Sequence, residues 1–105
     1  MDGEAKNYTV VISDEAARML VSQARFLAQV SEAEALRFID EFHEKVKSLE
    51  KFPERNPELS DPMIPKGKYR KLLTAKRYIL VYQVKGSAVL ADAVVDCRQD
   101  YGWLL

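Results

Sequence analysis

One cysteine and one histidine stand among the 105 residues. Cys97 has no second cysteine with which to close a disulfide or a C-x-x-C metal or redox site. His43 alone builds neither a His-rich metal centre nor a Ser–His–Asp triad, so no metal and no cofactor is expected. The four glycines are scattered, which excludes a glycine-rich phosphate loop. No apolar run approaches the ~20 residues that cross a bilayer. The opening MDGEAKNY is polar and acidic and lacks the apolar centre of a signal peptide, so a cytoplasmic chain is expected.

A further shortage lies hidden beneath a net charge of zero. Residues 62–91 contain no acidic side chain, yet hold seven basic ones: Lys66, Lys68, Arg70, Lys71, Lys76, Arg77 and Lys85. Residues 1–61 compensate with 13 Asp/Glu against 8 Lys/Arg. Charge segregated in this way creates a local field that attracts an anionic partner. The plainer alternative is that these lysines and arginines solvate a sheet edge and prevent its aggregation.

The pattern of elements is readable from the N-terminus. Tyr8-Thr9-Val10-Val11-Ile12 has the β-branched content of a short strand. Ser13 is placed to cap a helix whose first turn carries Asp14 and Glu15, where the helix dipole favours negative charge. Ala17, Leu20, Val21, Ala24, Leu27 and Ala28 recur at helical steps, and Met19, Phe26 and Val30 widen that face. A second start follows at once, because Ser31 and Glu34 match a capping box. Ala35, Phe38, Ile39, Phe42, Val46 and Leu49 form its stripe, and Pro53 stops it. Two helices with almost no linker predict a tight hairpin.

All four prolines then fall within residues 53–67, which read as a stiffened loop. Strands are predicted over residues 69–74, 77–84 and 88–97, with turns at Ala75-Lys76 and Lys85-Gly86-Ser87. Such short connections enforce antiparallel neighbours. Strict alternation in the last strand sends Val89, Ala91, Ala93, Val95 and Cys97 under the helices. It sends Leu90, Asp92, Val94, Asp96 and Arg98 to a partly open face. The expected fold is α+β, in the order β-α-α-β-β-β. A helical hairpin packs on one face of an antiparallel four-stranded sheet, in one domain spanning residues 1–105.

On the open face an Asp96–Arg98 pair, with basic residues nearby, would present a planar guanidinium to a phosphate. Read plainly, the same pair is a rim salt bridge of little weight. Tyr69, Tyr101 and Trp103 are placed either to stack on bases or to seal a small core. The closing Trp103-Leu104-Leu105 either docks back on the core or awaits a partner.

Three strings bring a family into view: Tyr69-Arg70-Lys71-Leu72, Tyr78-Ile79-Leu80-Val81-Tyr82-Gln83-Val84, and Val94-Val95-Asp96-Cys97-Arg98-Gln99-Asp100-Tyr101. Their order and spacing resemble the RelE/ParE superfamily, the toxin halves of bacterial type II toxin–antitoxin (plasmid stabilisation) modules. The resemblance covers nearly the whole chain. It implies a growth-inhibiting toxin neutralised by a cognate antitoxin. Two mechanisms occur in the superfamily. RelE-like members cleave mRNA in the ribosomal A site with converging basic residues and a C-terminal Tyr or His, whereas ParE-like members poison DNA gyrase without a nuclease site.

Carried over residue by residue, the RelE-type catalytic set is incomplete. Arg70 and Arg98 match basic positions and Tyr101 stands early for the tail aromatic, but Leu72 and Ile79 occupy two further basic positions. Cleavage of a phosphodiester needs several positive groups converging on one phosphate. The resemblance therefore implies a ParE-like protein with gyrase as target. The RelE-like endoribonuclease and a degenerate, non-toxic antitoxin-binding module are the alternatives. Lys66, Lys68, Arg70, Lys71, Lys76, Arg77 and Arg98 are the expected target- or anion-binding residues. Tyr101, Trp103, Leu104 and Leu105 are the expected contacts for the antitoxin.

Overall fold

A computed structural model describes residues 7–60, 62–75 and 78–96. Along them run β1 (Thr9–Ile12), α1 (Asp14–Ala28), α2 (Glu32–Ser48), a 3-10 turn (Pro53–Arg55), β2 (Arg70–Thr74), β3 (Tyr78–Lys85) and β4 (Ala88–Asp96). Ser13 caps α1 by accepting a hydrogen bond from the Ala16 amide at 2.9 Å. Ser31 caps α2 through the Glu34 amide at 3.2 Å. Only that half of the capping box is used in this way, because the Glu34 carboxylate turns to Arg37 at 2.7 Å. The Ser31 amide bonds the Leu27 carbonyl at 2.8 Å, which closes the hairpin.

The sheet order is β1-β4-β3-β2. β3 pairs antiparallel with both β2 and β4 as expected, but β1 lies parallel to β4. The sheet is therefore mixed. Short turns dictate antiparallel pairing only between the strands they join, whereas the helical hairpin and two strands separate β1 from β4. In the β3–β4 turn Gly86 takes a φ of 59°, a conformation that glycine supplies without strain.

One irregularity decides where side chains of β4 point. Val81 pairs with Ala93 and Tyr82 with Ala91, so Asp92 is an inserted residue and the strand carries a β-bulge there. The Ser13 hydroxyl donates to the Asp92 carbonyl at 3.1 Å, pinning the bulge to the start of α1. Beyond it the alternation inverts. Val94 packs with Phe38, Phe42, Leu49, Tyr78, Leu80, Tyr82, Val89 and Ala91 in the helix-side core. Ala93 and Val95, expected under the helices, lie on the other face. Asp96, expected on an open face, opposes Tyr78 on the helical side and is 7% exposed.

Nor is the second face open as expected. Leu59, Ile64 and Tyr69 from the proline-rich segment cover Ile79, Val81, Ala93 and Val95 to form a second core. The segment is strapped to the outer edge of β2 by the Leu59 amide on the Tyr69 carbonyl (2.8 Å) and the Lys71 amide on the Pro57 carbonyl (3.0 Å). That pairing satisfies an edge that would otherwise be exposed.

Candidate functional site

The strap over residues 53–69 carries or contacts the four described residues of the expected anion-binding set, Lys66, Lys68, Arg70 and Lys71, and its anchor is Tyr82. The Tyr82 hydroxyl, buried in the helix-side core, donates to the Pro53 carbonyl and accepts from Asn56 Nδ2 at 3.0 Å. Burial pushes the phenol above its ordinary pKa, opposed by the Asn56 hydrogen bond and the positive charges of Arg70 and Arg55. Arg70, directly across from Tyr82, donates from Nη1 to the Asn56 carbonyl at 2.6 Å. A half-buried arginine thus ties the strap to the sheet.

The pleat separates the basic residues that adjacency in sequence brings together. Arg70 pairs with Tyr82 and stands on the helical face, while Lys71 pairs with Val81 and stands on the strap-covered face. Lys66 and Lys68 are exposed on the strap. The Lys68 ammonium lies 5.2 Å from the centroid of the Tyr69 ring. Tyr69 itself is buried, so it seals the second core and is not free to stack on a base. The two positions where a RelE-type nuclease would carry further bases are apolar in place as well as in sequence. Leu72 packs against the helix-side core and Ile79 is buried in the second one. Lys76, Arg77, Arg98, Tyr101, Trp103, Leu104 and Leu105 lie outside the described residues.

Asp92 does reach the face expected of it, where its carboxylate accepts from Gln83 Nε2 at 2.5 Å. His43 is exposed on α2. Among the described residues no three His, Cys, Asp or Glu side chains gather closely enough to hold a metal ion.

Two features of the surface were not legible from the sequence. The first is the outer side of α1, where Ala17, Val21 and Phe26, with Arg18, Ser22, Arg25 and Gln29, line a shallow groove of ≈ 730 Å³. Val21 is 47% exposed and Phe26 56%. The helical spacing predicts both on the packed face, yet the inner side of α1 is formed by Ala16, Met19, Leu20, Ala24 and Leu27. The signal was present, because the apolar arc of α1 is wider than one sheet contact can cover. The second is Phe52, exposed at the end of α2 in a left-handed conformation.

Set beside known families, residues 10–101 match the model described as ParE toxin of type II toxin-antitoxin system, parDE. The chain belongs to the ParE toxin family. The fold of this ParE-family chain agrees with that of a solved structure entitled "Chromosomal ParDE TA system from P. aeruginosa". The TM-score is 0.70 at 17% sequence identity, over 88% of this chain and 98% of that one. No curated protein gives a significant match. The superfamily resemblance read from the three strings is thereby shown, and the chain is a type II toxin by family.

Proposed function

We propose that this ParE-family toxin arrests its target by binding rather than by chemistry, with DNA gyrase as the target and a cognate antitoxin as the neutralising partner. The observation that carries the reading is the dispersal of the described basic residues. Arg70 is engaged in holding the strap, Lys71 faces the other way, and Leu72 and Ile79 are packed. A phosphoryl-transfer site needs cations converged on one phosphate, whereas a protein-binding toxin needs only a shaped, charged surface. Lys66, Lys68 and Lys71 on the strap side are the described part of that surface, and Arg70 holds its frame. Lys76, Arg77 and Arg98 are assigned to it from sequence alone. The antitoxin is assigned the outer groove of α1, whose only charged side chains are Arg18 and Arg25, so an acidic amphipathic helix complements it. Tyr101, Trp103, Leu104 and Leu105 remain contacts assigned to the antitoxin from sequence. No described helix is long and apolar enough to cross a membrane, and we assign the toxin to the cytoplasm.

The test is a pair of assays on the purified chain. Supercoiling by DNA gyrase is expected to fall in its presence and recover when antitoxin is added, while mRNA on programmed ribosomes stays intact. Cleavage of that mRNA, abolished by Arg70→Ala with the fold retained, would replace this reading with the endoribonuclease. Harmless expression of the isolated chain in cells would leave only the non-toxic binding module.

A further inference from the structure

The end of α2 is turned by a residue poorly suited to the task. The Glu50 amide bonds the Lys47 carbonyl at 3.1 Å and the Lys51 amide the Ser48 carbonyl at 3.4 Å. Phe52 then takes φ 55° and ψ 48°, the left-handed conformation. Glycine or asparagine fills such a position after a helix without the steric penalty that a bulky side chain carries. The residue before a proline is also ordinarily driven to extended backbone, and Pro53 follows. Nothing in either core accounts for the choice, because Phe52 belongs to neither and is 57% exposed. Strain held at an exposed position that serves neither core points to a role outside folding.

The surroundings define what would meet it. Lys47, Lys51 and Arg55, with Ser48 and one acidic residue, Glu50, line the same depression of ≈ 420 Å³. None of these charged side chains makes an ion pair among the described residues. The backbone beneath is firmly held. The Glu50 carbonyl accepts from the Tyr8 amide at 2.8 Å, the Phe52 carbonyl from the Arg55 amide at 3.2 Å, and the Pro53 carbonyl from the Tyr82 hydroxyl. An aromatic side chain on a fixed mount, within a ring of cations, loses little freedom on binding.

We propose that Phe52, ringed by Lys47, Lys51 and Arg55, is a docking knob for the antitoxin, inserting into an apolar socket rimmed by Asp and Glu. The proposal rests on the toxin–antitoxin reading and adds a contact on α2 to the groove on α1. Charge complementarity selects an acidic partner. The cations around the knob and the Arg18 and Arg25 of the α1 groove carry the same sign, so one acidic partner, the antitoxin, complements both.

The deciding measurement pairs thermal unfolding with calorimetric titration of a full-length cognate antitoxin. Phe52→Gly relieves the left-handed strain and is expected to raise Tm while weakening antitoxin binding by roughly tenfold or more, as for an aromatic hot spot. A merely structural role would move both readouts together. Phe52→Asn, which also tolerates this backbone, should repeat the result. Replacing Lys47, Lys51 and Arg55 with Gln should flatten the salt dependence of Kd. Wild-type affinity in Phe52→Gly overturns the proposal, as does a variant that keeps its antitoxin but no longer inhibits the target. Failure of the wild-type chain to bind the antitoxin overturns the toxin–antitoxin reading and the knob with it, and that result is distinct from a defect confined to the variant.

Discussion

The two helices have similar apolar patterns and different fates. α2 buries Ala35, Phe38 and Phe42 against the sheet, and Leu49 at its cap is equally enclosed. α1 buries only Ala16 completely and leaves Val21 and Phe26 half in water. Both helices meet the sheet, α1 over β4 and α2 over β2, but α1 carries a second apolar side that neither the sheet nor α2 covers. An apolar arc therefore records that something covers it, not whether that cover is the sheet or another molecule. On this comparison α2 belongs to stability, and the outer side of α1 is left open for the partner proposed for it.

The largest effect should come from the seat of α2. Phe42→Ala is expected to cost about 3–5 kcal/mol by opening a cavity in the helix-side core. Denaturant titration reads this directly, and a loss comparable to that of a surface substitution would place the core elsewhere. Next comes the anchor below the end of α2. Tyr82→Phe removes the bonds to Pro53 and Asn56 and should cost about 1–3 kcal/mol.

That anchor also has a pH signature. A tyrosine in the unfolded chain ionises near pH ~10, and burial raises the Tyr82 pKa in the folded chain. Its contribution is therefore complete below about pH 10 and is lost as pH climbs through the folded value. Tyr82→Phe should abolish that alkaline decline, and an unchanged pH profile would remove Tyr82 as its source.

The smallest effect on folding should come from the outer side of α1. Phe26→Ser is expected to change stability by no more than about 0.5 kcal/mol while weakening antitoxin binding. If it destabilises the chain as strongly as Phe42→Ala, the contrast between the helices collapses.

Much of the candidate site was obscured by one residue of register. From Ala88 to Asp96 the alternation is consistent with an unbroken strand, and Ala-Asp-Ala-Val carries no mark of an insertion. The bulge at Asp92 nevertheless sends Asp96 to the helical side, away from the face where an arginine was to be held against it. Arg70 was expected to bind a target or an anion. Its partner proved to be the Asn56 carbonyl of the strap, a contact that no spacing within β2 could announce.

What the chain determines by itself is everything carried by near neighbours. Ser13 and Ser31 start their helices, the glycine turn folds β4 against β3, and the strings around Arg70, Tyr78 and Val94 carry the family. Tertiary structure alone decided the rest: β1 parallel to β4, the strap over the second face, and the exposure of Val21, Phe26 and Phe52. The physical reason is one of range. Caps, turns and periodicity are settled within a few residues, whereas the cover given to an apolar surface depends on segments distant in sequence that meet only when the whole chain has folded.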